Sequence, residues 1–542
     1  MKRVICLLVT TLLSGGGVLY AQGELDAFKY STPDFNGTAR YLAMGGAFGA
    51  LGGDISVMNT NPGGLAIYRS SEVVTTLSVT SNQTKSTWGG VNENMTKTKV
   101  NFDNIGYVGY FPTGNDEGLV SWNVGFSYNR QQNFERSYRV SGKQAYSLAD
   151  YAAAKGTYVY QDEAGLWHGI KEADMPAAGS SVSSAYQNLG GLWIPALAYH
   201  GGLIGAFDQG GNEYISGFGE WKDKDTFLPY SPNSSMLYVR EKGAVDRYNM
   251  ALGLNFSNIL FLGADIAVTD LNYDYTSTYD ESFGGSGDLY WDSWKSTDGT
   301  GYSFNIGAIV RPLDCLRLGL AYNSPTWYKM TDYYGGSAGS NIEGLGEMQG
   351  ETPTGVYTDY KLRTPDRAIL SAAFIMGQSG LISVDYEISN HESMKLSDPD
   401  GLEYNDNELI KEDFGCSHAF KVGAEFKPTP QFAVRVGGGW QSSPIKTALK
   451  EGSVEVYTSG ATPNYTIYKS TTHYSVGLGY RFTPNFYLDL ACIYREQKDD
   501  VYAFSPVIVE NSKGETLQIV ESSASSLKTG RTQVALTLGY KF

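Results

Sequence analysis

The residues to weigh first for chemistry are the five histidines, His168, His200, His391, His418 and His473. No two of them stand at the spacing that puts a pair of imidazoles on one helical face for a metal. His168 and His200 share the longest stretch between apolar segments, where haem or metal capture competes with the plainer reading of hydrated loop side chains. Asp398, Asp400, Asn405, Asp406, Asn407 and Glu408 offer oxygens of the kind calcium takes, but Gly401 comes too early for an EF-hand and no glutamate follows at the twelfth position. Gly335-Gly336-Ser337-Ala338-Gly339 spells Gly-x-Ser-x-Gly, yet it opens a long loop and lacks the strand-to-helix turn that exposes a serine nucleophile. The Gly45-Gly46 and Gly52-Gly53 pairs fit neither the dinucleotide pattern nor the Lys-Ser/Thr ending of a phosphate loop. No catalytic residue, metal or cofactor is expected, which leaves binding and passage as the chemistry to look for.

Glycine accounts for 65 of the 542 residues, aromatic side chains for 13% and charged ones for 18%. Average usage is about 7% glycine and about 25% charged. A net charge of −16 disfavours nucleic acid, whose phosphates demand a basic surface. Lys2 and Arg3 precede an apolar run from Val4 to Leu13, and Leu19-Tyr20-Ala21 offers a cleavage site, so residues 1–21 are expected to be a signal peptide. Ser14 to Gly17 interrupt the run too early for a membrane anchor, which needs about 20 apolar residues. Cleavage there would remove Cys6 and leave Cys315, Cys416 and Cys492, too scattered for a disulfide framework.

The elements that would position a binding site announce themselves by period two. In the last segment Val534, Leu536, Leu538, Tyr540 and Phe542 share one face while small or polar residues take the other. An aromatic carboxy-terminus closing such a strand resembles the sorting end of bacterial outer-membrane barrels. Fourteen segments of this kind can be counted from Val73 onward, joined alternately by six tight turns and seven long connections. The long ones are residues 82–101, 142–236, 282–300, 336–360, 398–412, 445–470 and 505–529. Turns at one end and loops at the other predict an all-β fold, a 14-stranded antiparallel transmembrane β-barrel over residues 71–542. Phe111, Phe256, Phe426, Phe482 and Phe542, beside short turns, are the expected rim of an aromatic girdle. Gly106, Gly109 and Pro112 near the second strand either weaken its pairing or simply lead into the turn that follows. In the longest loop Leu148 to Lys155 reads as a short helix, and Trp167, Trp193, Tyr199 and Phe207 either gather ligand or hold the loop together.

Residues 22–70 precede the first strand. A barrel this wide needs a stopper, since about 8 strands are filled by their own side chains and 16 to 18 leave a channel. This segment is glycine-rich with apolar Phe28, Phe35, Leu42, Met44, Phe48, Leu51, Ile55 and Met58, which makes it the expected hatch and gives eight candidate ligand contacts. The run from Gly37 to Ala50, with Asp54 and then Asn61-Pro62-Gly63-Gly64-Leu65, resembles the amino-terminal hatch of the FadL/TodX family of outer-membrane transporters of long-chain fatty acids and aromatic hydrocarbons. The family's motif is Asn-Pro-Ala, so Asn61 and Pro62 correspond and Gly63 departs. The resemblance implies passive carriage of a hydrophobic small molecule by a monomer set in outer-membrane lipid, with release through a lateral gap in the wall. The competing readings are a scaffold or secretion-associated barrel presenting a protein partner, and a haem-binding receptor.

Overall fold

The computed structural model describes residues 23–162, 165–177, 183–189, 191–207, 210–510 and 514–542; the expected leader, residues 1–21, lies outside them. The alternation of small or polar with apolar residues builds fourteen antiparallel staves. They begin with β1 (Glu72–Trp88), β2 (Val91–Pro112) and β3, which is Leu119–Asn133 continued by Arg136–Gly142. Next come β4 (Ser234–Phe256), β5 (Leu260–Ser282), β6 (Gly287–Leu313) and β7, made of Leu316–Asn323 and Trp327–Ile342. β8 joins Tyr357–Arg363 to Arg367–Met376, and β9 (Gly380–Asn390), β10 (Cys416–Phe426) and β11 (Phe432–Gln441) follow. β12 (Tyr465–Arg481), β13 (Phe486–Tyr502) and β14 (Ser525–Lys541) complete the set. Each stave pairs with its sequence neighbour, and β14 pairs with β1 from Glu72↔Lys541 to Thr87↔Ser526, so the sheet closes on itself. Closure leaves no free sheet edge at that seam, the condition for a β-structure to survive in hydrocarbon.

The outward side chains form the apolar belt that a bilayer demands. On β14 these are Val534, Leu536, Leu538 and Tyr540, all exposed, while Ala535 and Thr537 between them are buried. Phe111, Phe426, Phe482 and Phe542 are exposed beside the short turns, and Phe256 is half-buried. In the turn from β4 to β5, Ser257 and Asn258 both stand at positive φ (52° and 55°), the mirror-image geometry that matches the twist of the flanking strands.

Several expected loops are strand. Residues 82–101 form the upper parts of β1 and β2, turning at Gly89-Gly90, and residues 282–300 turn between β5 and β6 within four residues. Beyond the apolar belt both strand faces meet polar surroundings, so the alternation that marks a strand disappears from the sequence while the backbone ladder continues. For the same reason Gly335 to Gly339 lie on β7, paired with β6, and not in a loop. The true loops at that end pack inward. The helix Leu148–Thr157 is capped by Ser147 and Asp150, and the helix Trp193–His200 buries Trp193, Ala196 and Leu197 in one apolar cluster with Trp291 and Phe504. Of the loop aromatics, Trp167 packs on this cluster and Phe207 is exposed.

Residues 23–70 fill the bore. A first helix (Glu24–Ser31) sits at the loop end, a second (Ala39–Ala43) lies midway, and two 3-10 turns, Ile55–Asn59 and Pro62–Ile67, carry the chain toward β1. The wall makes room for them by omitting side chains. A Cβ on Gly263 would fall 2.1 Å from the Pro62 carbonyl carbon, and one on Gly423 2.2 Å from the Met44 oxygen. Gly319 and Gly437 face hatch backbone atoms as closely, Gly253 faces Ala66 N at 2.6 Å and Gly307 faces the Asn61 side chain, so inward glycines on six staves seat the hatch against the strand backbone.

Candidate functional site

The hatch is held by polar bonds that its own turns aim at the wall. Asn61 caps the second 3-10 turn by accepting the Gly63 N–H through Oδ1 (3.0 Å), while its Nδ2 donates to Gly49 O (2.6 Å) and Ala308 O (3.2 Å). Pro62 follows as the first residue of that turn, where its missing N–H costs nothing. Asp385 of β9 accepts the Phe48 and Gly49 N–H groups at 2.9 and 2.8 Å, and Thr537 of β14 accepts the Ala39 N–H at 2.7 Å. Arg40 reaches Glu425 of β10 at 3.2 Å. Burial alone would ease the Arg40 proton off, and the Glu425 carboxylate outweighs it, so the guanidinium is held charged above its ordinary range.

Of the eight apolar candidates, Leu42, Met44, Phe48 and Leu51 pack against Ala373, Ala491 and Ala535 of the wall. Ile55 and Met58 pack with Leu65, Val108 and Ala251. These six seal the bore. Phe28 and Phe35 instead face two lumen cavities on the loop side of the seal. The outer cavity, about 140 Å³, is bounded by Phe28, Phe134 and Tyr468 and by charged Lys29, Glu241 and Arg531. The deeper one, about 90 Å³, lies beside Phe35, Tyr41 and Thr60. Both touch Asp34 and Arg495, so they adjoin. Asp34 is bonded by Arg495 and by Arg531, the latter at 2.7 Å. Burial would raise its carboxyl, and the two guanidinium groups overcome that and hold it well below the usual carboxylate range.

Beside the outer cavity the hydrogen-bond ladder of the wall is interrupted. The β2–β3 ladder runs from Pro112↔Ser121 to Asn104↔Asn129 and stops. Above it β2 continues to Val91 against β1 alone among the described residues, from Asn101↔Ser78 to Val91↔Trp88. β3 turns inward instead. Its Gln131 carbonyl accepts the Asp34 N–H (3.0 Å) and its Arg130 carbonyl accepts Asn36 Nδ2 (3.0 Å), so the hatch replaces β2 as its hydrogen-bond partner. Further up, the carbonyls of Glu135 and Ser137 accept side-chain bonds from Asn82 and Thr84 of β1. Only side chains span the interval. Lys97 and Lys99 of β2 pair with Glu135, the second at 2.8 Å, and Asn133 donates to Asn101 at 3.1 Å. Of the two readings of Gly106, Gly109 and Pro112, weakened pairing or an approach to the turn, the second fits, since all three lie in the intact part of the ladder. The break starts one turn of the pleat above them, at the outer edge of the apolar belt marked by Phe102 and Tyr128.

The histidines divide by environment. His168 pairs with Asp162 at 2.9 Å in the long loop, whereas His200 is buried beneath it. His391 is buried against the Phe28 ring, 5.3 Å between centroids, and His473 stacks on Phe35 at 4.1 Å with Nε2 at 3.1 Å from the Gly45 carbonyl. His418 bonds the Tyr386 hydroxyl on the outer wall. In the acidic stretch Asp398 accepts the Gly401 and Leu402 N–H groups, and residues from Asp406 form a helix.

Residues that the sequence left unremarked dominate the lumen: Arg247, Arg367, Glu387, Lys421 and Arg495. Parity was the available signal, because a charge set between lipid-facing neighbours, as Lys421 is between Phe420 and Val422, has to point inward.

A family model for outer membrane protein transport proteins (OMPP1/FadL/TodX) matches residues 292–526. Among solved structures, a FadL homologue of Pseudomonas aeruginosa superposes with a TM-score of 0.51 at 13% identity, covering 94% of this chain and 100% of that one. The toluene transporter TodX of Pseudomonas putida gives 0.46 at 11% identity over 94% of this chain and 99% of its own. The toluene transporter TbuX of Ralstonia pickettii gives 0.44 at 12% over 94% and 98%. No curated protein sequence matches the chain.

Proposed function

We propose that this barrel, which shares a family signature and its fold with the FadL/TodX outer-membrane transport proteins, carries hydrophobic small molecules passively into the bacterial outer membrane. The observation that carries this reading is the break between β2 and β3, set beside a lumen cavity that ends on a sealed hatch. A molecule entering from the loop end meets Phe28, Phe134 and Tyr468, cannot continue past the wedge of Leu42, Met44 and Phe48, and has the break beside it. Sideways departure places an apolar solute in lipid without a passage through water, and it uses a stretch of wall where, among the described residues, β2 and β3 are joined by side-chain bonds and not by a ladder. The mature chain acts as a monomer, residues 22–70 serve as its hatch and residues 1–21 as its export signal. A scaffold reading gives the cavity and the break no task.

The test is to pin the break shut. A Lys99→Cys/Glu135→Cys pair, in a background with Cys315, Cys416 and Cys492 replaced, is joined by a short bifunctional thiol reagent, and uptake of a labelled fatty acid into vesicles carrying the protein is followed. Cross-linking should cut uptake by about tenfold, and cleavage of the linker should restore it. Undiminished uptake after complete cross-linking would rule out the lateral route.

A further inference from the structure

We infer that the cavity beneath the hatch, at the short-turn end of the bore, is a binding site for a small soluble oxyanion that clips the hatch to the wall. It lies at the opposite end of the lumen from the two cavities already described, and it holds whether or not cargo leaves sideways.

The inference starts from Arg317. It stands near the start of β7, where Leu318 takes the exposed, lipid-facing position, so its side chain points into the bore on the same face as Gly319, the glycine that seats Gly49. Its Nη1 donates to the Leu51 carbonyl of the hatch at 2.8 Å, and its Nε is buried without a hydrogen-bond partner among the described residues. The charged groups that act on it are Arg311, Arg69 and Arg40, all of its own sign. Of these, Arg311 has a carboxylate in the exposed Asp314 at 3.7 Å. The cavity is about 230 Å³, with Arg40 and Leu51 of the hatch on one side, Arg317, Gln378 and Lys427 of the wall on the other, and Glu425 as the acid that lines it. Glu425 is already held by Arg40 and Lys427, each at 3.2 Å, and by Arg435 at 2.6 Å. Arg40 draws further on Asp54 and Asp489, and Arg435 on Asp489. These three carboxylates serve Arg40, Lys427 and Arg435, and none of them acts on Arg317.

A guanidinium partly withdrawn from water and set against other guanidinium groups is costly unless an anion joins it. The repulsion here acts between two bodies, since Arg40 belongs to the hatch and Arg317 and Lys427 to the wall, so an anion placed among them turns repulsion into attachment. A fork of N–H donors suits an oxyanion with two or more acceptor oxygens, such as phosphate or sulfate, better than a spherical ion such as chloride. The ion comes from solution and not from lipid, because Arg317 faces the bore, and the short turns of such a barrel open on the periplasm.

Phosphate, sulfate and chloride are compared at equal ionic strength on the full-length protein in a neutral detergent, with two readouts: equilibrium dialysis of labelled inorganic phosphate, and the rate at which protease cuts within residues 23–70. Phosphate should bind saturably, sulfate should displace it and chloride should not, and saturating phosphate should slow cleavage about threefold. Arg317→Gln should weaken phosphate binding about tenfold and remove the protection. Lys427→Gln changes an exposed position and leaves Arg40 and Arg435 on Glu425, so it serves where the first variant fails to fold; it should weaken binding about threefold. Absence of saturable binding, displacement by chloride as readily as by sulfate, or binding undiminished in a folded variant overturns the site, and binding that leaves hatch cleavage unchanged overturns the clip.

Discussion

Asp34 is where hatch, wall and lumen meet: its backbone N–H bonds β3, its carboxylate binds Arg495 of β13 and Arg531 of β14, and it borders both cavities. Removing one partner of a buried ion pair costs about 3–5 kcal/mol, because the other charge is left without compensation. Asp34→Asn should therefore loosen the hatch and raise the basal conductance of the protein in planar bilayers. The depressed pKa of Asp34 gives this attachment a pH signature. A carboxyl lowered by folding stabilises fully above its unfolded value, about 3.9, and loses that contribution only as pH falls through the lower native value. The part of the acid-induced conductance that Asp34→Asn abolishes should appear only in strong acid, and an Asp34-dependent rise already at about pH 6 would contradict the assignment. None of this was legible from Asp34 itself, which stands in an unpatterned stretch and acquires its role from arginines more than 460 residues away in the chain.

Among the elements, the staves were legible wherever one face meets lipid. Val534, Leu536 and Leu538 announce β14, as Met250 and Leu252 announce β4. Legibility ended at the edge of the belt. Gln83, Lys85 and Thr87 face outward and Thr84 and Ser86 inward on β1, polar on both sides, and such a segment reads as loop although its ladder to β2 is unbroken. The hatch was legible as a stopper from its glycines and apolar residues, but the division of labour among Phe28, Phe35 and the six sealing residues depends on wall positions that no local pattern marks. The wall glycines show how one element is shaped for another. Gly263→Val would drive a branched side chain into the Pro62 carbonyl, and overpacking of this kind typically costs about 1–3 kcal/mol or more. The strand itself tolerates valine well, so the barrel should form normally, as judged by its resistance to detergent unfolding, while the hatch becomes accessible to protease.

At the scale of the whole molecule the bore is wider than side chains alone can fill, and residues 23–70 close it. Deleting residues 22–66 should convert the protein into an open pore of high, stable conductance that admits small sugars into liposomes. A deletion variant that inserts and still excludes them would show that the loops at the outer end, which bury Trp193, Leu197 and Phe504 together, suffice as a seal.

The seam between β1 and β14 has a consequence for how such a molecule comes into being. Thr76 and Thr537 meet across it at 2.6 Å, and the same Thr537 oxygen takes the Ala39 N–H, so the joint is finished by the object it encloses. The glycine seats leave no slack through which the stopper could be threaded afterwards. The polypeptide must wrap around its own beginning, like staves raised around a bung, and the last strand to be made, β14, is the one that closes against the first.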